Sequence, residues 1–130
     1  IRGRIAELRE QWSPAEVVTD GRSAAASLIP DLENDGVITT MNAQDMAAAC
    51  GVLYDAIVED KLRHRGQQAL GRAVLGAKTR NLSDAWAWDA KDPTTDITQL
   101  LAVTAAVHGV RVRTDEPRES AYTDHDLIVV

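Results

Sequence analysis

Helix-like and strand-like stretches alternate along this chain, and that alternation constrains its fold more than any single motif. Ile1, Ile5, Leu8 and Trp12 fall at helical spacing, and Ser13-Pro14 predicts the end of that helix. The β-branched run Glu16-Val17-Val18-Thr19-Asp20 predicts a short buried strand over 15–20. Ser23 is placed to cap a helix over 23–34, kinked at Pro30 and closed by Asn34-Asp35-Gly36. Val37 to Thr40 predicts a second strand. Asn42 then caps a long helix over 43–60, with Asp45 in its first turn and Met46, Cys50, Leu53 and Ile57 along its apolar stripe. Leu62-Arg63-His64 reads as an edge strand. A helix over 67–78 is expected to turn Leu70, Val74 and Leu75 inward. Residues 84–89 alternate, with Trp86 and Trp88 on one face, as a strand requires. A turn at Asp92 to Thr95 leads to a helix over 95–109, with Ile97, Leu100, Leu101, Thr104 and Ala105 inward and Gly109 as its stop. Residues 111–130 read as a polar tail. This order is that of an α/β protein.

The 130 residues suffice for one domain or part of one, and 45% hydrophobic with 26% charged residues describes a globular chain. No apolar run reaches the length of a membrane span, so the expectation is a soluble, cytoplasmic protein. Cys50 is the only cysteine; an internal disulfide and a cysteine-based zinc cluster are excluded, and a small core hydrophobe is expected. Ile1 is not an initiator residue, so sequence upstream is expected, and only three or four strands are visible. The net charge of −6 argues against a stand-alone nucleic-acid binder.

Two acids stand out. Asp20 closes a strand that, if parallel, ends in the crevice where α/β sheets bind ligands. Asp96 opens the apolar helix Asp96-Ile97-Thr98-Gln99-Leu100-Leu101-Ala102-Val103, where the helix dipole favours a carboxylate. Facing one another across an open, wet notch, they could hold a divalent cation against a phosphate. Taken separately, each has an ordinary explanation: Asp-Gly is a common turn pair, and acids are favoured in first turns.

From Trp12 onward the chain resembles the large terminase subunits of tailed bacteriophages, in particular those of actinobacterial phages. The resembling stretches, in order, are Val17-Val18-Thr19-Asp20-Gly21-Arg22-Ser23-Ala24-Ala25, Leu53-Tyr54-Asp55-Ala56, Leu62-Arg63-His64-Arg65-Gly66-Gln67, Leu82-Ser83-Asp84-Ala85-Trp86-Ala87-Trp88 and Thr94-Thr95-Asp96-Ile97. Pro117, Arg118, Ser120, Ala121 and Tyr122 resemble the natural end of such proteins. The resemblance implies that residues 1–110 are the C-terminal part of an RNase H-like nuclease domain, incomplete at its N-terminal side, with 111–130 as a tail. It implies two divalent ions, Mg²⁺ or Mn²⁺, held by three acids. Asp20 matches the second acid and Asp96 the third; the first has no counterpart in this chain. The packaging ATPase's G-x-x-x-x-G-K-[ST] loop is also absent. The implied partners are double-stranded DNA, the terminase ATPase domain, the small subunit and the portal, inside a bacterial host.

With two of three acids, the chain by itself is expected to bind Mg²⁺ weakly and to cut DNA little or not at all. Arg63, His64 and Arg65, with Arg72, Lys78 and Arg80, form a basic strip that could meet DNA phosphates, although a solvated helix face is the commoner cause of such runs. Trp86 and Trp88 are expected in the core, His108 as a structural residue, and Asp84 and Asp89 facing solvent. The competing expectation is a non-catalytic remnant or assembly domain that keeps the fold. A third is an acidic α/β binding module of unrelated function.

Overall fold

The structure is a computed structural model and describes residues 1–36, 38–92, 94–115 and 128–130. Val37, Pro93 and the tail residues from 116 to 127, with Pro117, Arg118, Ser120, Ala121 and Tyr122, lie outside the described residues.

Among the described residues five α-helices and six short strands follow in the order α1 (Arg2–Trp12), β1 (Val18–Asp20), α2 (Ile29–Asn34), β2 (Thr39–Met41), α3 (Ala43–Val58), β3 (Leu62–Arg63), α4 (Gln68–Gly76), β4 (Thr79–Leu82), β5 (Ala85–Trp88), α5 (Thr98–Asp115) and β6 (Ile128–Val129). The class is mixed α/β, as the alternation predicts. The strands described form three separate pairs: β1 with β2 and β3 with β6, both parallel, and β4 with β5, antiparallel. In the first pair Val18 faces Thr39 and Asp20 faces Met41.

The centre is built by α3, β5 and α5. Asn42 caps α3 through a capping box: its Oδ1 accepts the amides of Gln44 at 2.8 Å and Asp45 at 3.0 Å, and Asp45 Oδ2 accepts the Asn42 amide at 3.0 Å. Met46, Ala49, Cys50, Leu53 and Ala56 on α3 are buried. Met46, Ala49 and Cys50 pack with Met41 and Ala87, and Leu53 packs with Ala73, Ile97, Leu100 and Val107. Trp86 and Trp88 lean on this core edge to face, 4.9 Å apart. The Trp88 indole N–H donates to Thr104 Oγ1 at 3.0 Å, and the fully buried Thr104 hydroxyl donates to Leu100 O at 2.8 Å. Cys50 is fully buried and unpaired, and burial pushes its thiol up, so it packs as a small hydrophobe.

Several expectations are corrected. The helix predicted over 23–34 is a 3₁₀ turn, Ala26–Leu28, followed by α2, and Pro30 stands in the first turn of α2, where its missing N–H costs nothing. Ile57 is 50% exposed, and Ala56 takes its place inside. On α4, Val74 and Leu75 are exposed, at 50% and 89%, and Ala73 is the buried residue. The hairpin partner β4 was not foreseen. Gly109 does not stop the last helix, which runs on to Asp115. Its lack of a side chain serves packing instead: a methyl there would meet Val18 Cγ2 at 2.9 Å, so Gly109 lets α5 press onto β1. The end of the chain is not wholly tail: β6 runs parallel beside β3, with the Val130 amide bonded to Arg63 O at 2.8 Å. Among the described residues no helix is long and apolar enough to cross a membrane.

Candidate functional site

Asp20 stands at the C-terminal end of β1, half-buried, where the Gly21 amide closes the pair by donating to Met41 O at 2.9 Å. The chain must turn tightly here. A methyl at Gly21 would come within 3.3 Å of Met41 O and 3.0 Å of Thr40 Cγ2. The turn folds Arg22 back over Asp20. Oδ1 accepts the Arg22 amide at 2.9 Å and its Nε at 3.3 Å, and Oδ2 accepts Nη2 at 3.4 Å. The Asp20 charge is therefore compensated by its own sequence neighbour.

Asp96 stands exposed just before α5. Its Oδ1 accepts both the Thr98 hydroxyl at 2.5 Å and the Thr98 amide at 2.9 Å. That amide belongs to the first turn of the helix and has no intrahelical acceptor, so Asp96 supplies one. The Thr98 hydroxyl and amide hold the Asp96 carboxyl below its ordinary value, and it is anionic at neutral pH. One Asp96 oxygen remains without a partner in this turn.

The two acids share no hydrogen-bonding partner; each bonds within its own turn. α5 begins at Thr98, two residues after Asp96, and packs against β1 further along, through Gly109. Among the described residues no three His, Cys, Asp or Glu side chains are grouped to hold a metal ion. The oxygen donors suit Mg²⁺ or Mn²⁺ in kind, but these two alone do not complete a coordination sphere.

The loop from β5 to Asp96 carries more acid. Asp89 is half-buried, not solvent-facing as expected, and accepts the Lys91 amide at 3.1 Å; Asp84 is exposed as expected. Asp92 Oδ1 accepts the Thr94 amide at 2.9 Å and hydroxyl at 2.6 Å, repeating the Asp96–Thr98 arrangement one turn earlier. Asp92 Oδ2 is shut away from solvent without an aligned hydrogen-bond donor, and the Lys78 ammonium 2.7 Å away compensates it as an ion pair. Lys78 and the two Thr94 groups hold the Asp92 carboxyl far below the ordinary range.

The basic strip is spread over β3, α4 and β4. Arg63 Nη1 pairs with Asp60 at 3.0 Å and caps its carbonyl, and Lys78 is committed to Asp92. His64 Nδ1 accepts the Gly66 amide at 3.0 Å. Arg65 and Arg72 are exposed, while Arg80 is half-buried near Cys50. His108 is half-buried on α5.

The Arg22 amide bond to Asp20 is the turn contact that the Asp-Gly pair predicts, whereas the Arg22 guanidinium, Lys78 and Thr98 are partners that sequence reasoning missed. A signal for two of the turns was present: Asp-x-Thr occurs at both 92–94 and 96–98, the pattern of a side chain bonding the backbone two residues on. The Lys78–Asp92 pair crosses fourteen positions and had no such signal. No protein-family model, curated protein or solved structure matches this chain.

Proposed function

We propose that the chain is the C-terminal part of the RNase H-like nuclease of a phage large terminase subunit, which cuts concatemeric double-stranded DNA during genome packaging. The observation that carries this reading is the anionic, exposed Asp96 carboxylate fixed at the head of α5, the helix that packs on the strand ending at Asp20. In this reading Asp20 and Asp96 hold Mg²⁺ or Mn²⁺ with a third carboxylate that this chain does not supply. Bound there, the ions would serve to activate water and to offset charge on the phosphodiester. Thr98 orients Asp96, and Arg22 holds Asp20, from which a bound cation would have to displace it. Arg65 and Arg72 are the exposed cations on the basic strip left to meet DNA.

The test is cleavage of supercoiled plasmid with Mn²⁺ by the product of the open reading frame that encodes this chain. Asp20→Asn and Asp96→Asn should each reduce cutting at least about a hundredfold, because metal-borne stabilisation is worth several kcal/mol and ~1.4 kcal/mol is tenfold. The 130-residue chain by itself should nick little or not at all. Cutting by the encoded product that is indifferent to both substitutions would end the nuclease reading. The compensation of Asp20 by Arg22 favours the second reading, a non-catalytic assembly domain with the same fold. That reading expects no metal-dependent cutting from the encoded product at all.

A further inference from the structure

The loop between β5 and α5 is tied to the α4–β4 junction at three successive points. The Asp89 amide donates to Lys78 O at 2.8 Å. The Lys78 ammonium lies 2.7 Å from Asp92 Oδ2, on a side chain only 12% exposed. Thr95 then sits directly against Gly76, where a methyl would come within 2.8 Å of Thr95 Cβ. Residues 76–78 thus make a seat, and residues 89, 92 and 95 rest on it. The next residue is Asp96.

We propose that Lys78 is a positioning residue for Asp96: its ion pair with Asp92 pins the loop to the α4–β4 junction and so fixes where the Asp96 carboxylate stands. This replaces a phosphate-contacting role for Lys78. The metal role of Asp96 rests on the nuclease reading above, whereas the positional claim does not. Three features carry it. Asp92 Oδ2 is shut away from solvent with the Lys78 ammonium 2.7 Å from it, so removing the ammonium removes the side-chain tie between the loop and the α4–β4 junction. Asp92 also organises Thr94 through two bonds, so the disturbance passes into the backbone that leads to Asp96. Gly76 admits Thr95 only because it has no side chain, so the loop has little freedom to settle elsewhere.

Amide hydrogen exchange on this chain decides the positional claim. Lys78→Met should speed exchange of the Thr98 amide, which Asp96 caps, by at least about tenfold through local opening, with the α3 core amides unchanged. Lys78→Arg keeps the cation and should return the rate to near that of the native chain. If Lys78→Met does not fold, Asp92→Asn keeps the side-chain shape and carries the same expectation. A Thr98 amide as slow in the variant as in the native chain overturns the proposal.

A second arm uses the encoded product on plasmid DNA. Lys78→Met should lower kcat and leave both KM for DNA and the salt dependence of binding unchanged. A salt slope reduced by about one unit would instead mean a lost phosphate contact and would overturn the proposal. Asp96→Asn serves as the control: if it cuts normally, the nuclease reading falls, and the exchange result still decides whether Lys78 positions the loop.

Discussion

Helices α3 and α4 are neighbours in sequence with similar apolar patterns, yet they end in different surroundings. The α3 stripe of Met46, Ala49, Cys50, Leu53 and Ala56 lies inside, covered by α5 and β5. α4 buries Ala73 alone and leaves Val74 and Leu75 in solvent. Periodicity marks which residues share a helix face; it does not say whether anything lies opposite that face. Beside α4 the exposed Ile57 and Val74 border an open groove of about 550 Å³ that also reaches Leu53 and Leu100.

Substitutions can break this comparison, and the largest effect belongs to the covered helix. Leu53→Ala should cost about 2–5 kcal/mol of stability, read as a lower denaturation midpoint, because Leu53 is 1% exposed and packs with Ala73, Ile97, Leu100 and Val107. Next comes the inner face of α5. Thr104→Val keeps the shape but strands the Trp88 indole N–H, at a cost of about 1–3 kcal/mol by urea unfolding. Asn42→Ala removes the α3 cap and should cost about 1 kcal/mol.

The Lys78–Asp92 pair gives a smaller change with a defined pH signature. Asp92 titrates below its ordinary value of 3.8 in the folded chain, so its contribution is full above that pH and fades as pH falls through the lower folded value. Lys78 titrates above its ordinary 10.5, so its contribution is full below that pH and is lost as pH rises through the higher folded value. Asp92→Asn should flatten both limbs of a stability–pH profile. The smallest effect belongs to α4: Leu75→Ser should shift stability by no more than about 0.5 kcal/mol, and a larger loss would show that Leu75 is covered in solution.

The same contrast explains what was legible in the sequence. The capped helix α3, the strand ending at Asp20 and the Trp strand follow local rules of capping, branching and alternation, and those rules were readable. Gly109 was misread because its role is set by Val18, far away in the chain. Val74 and Leu75 were misread because burial depends on a partner surface, not on spacing. At the candidate site, Asp20 and Asp96 were legible as turn and cap acids. The Lys78 seat was not, since it joins segments that only folding brings together.

The tryptophans carry a practical consequence. Trp12 is 62% exposed on α1, whereas Trp86 and Trp88, half-buried against the core, touch edge to face and Tyr54 stands near-perpendicular to Trp86. Native emission should therefore be a composite of one water-quenched indole and two shielded ones. Trp12→Phe would strip away the outer signal and leave a fluorophore pair whose spectrum reports the core edge, with a near-ultraviolet dichroism band that vanishes when the two rings part.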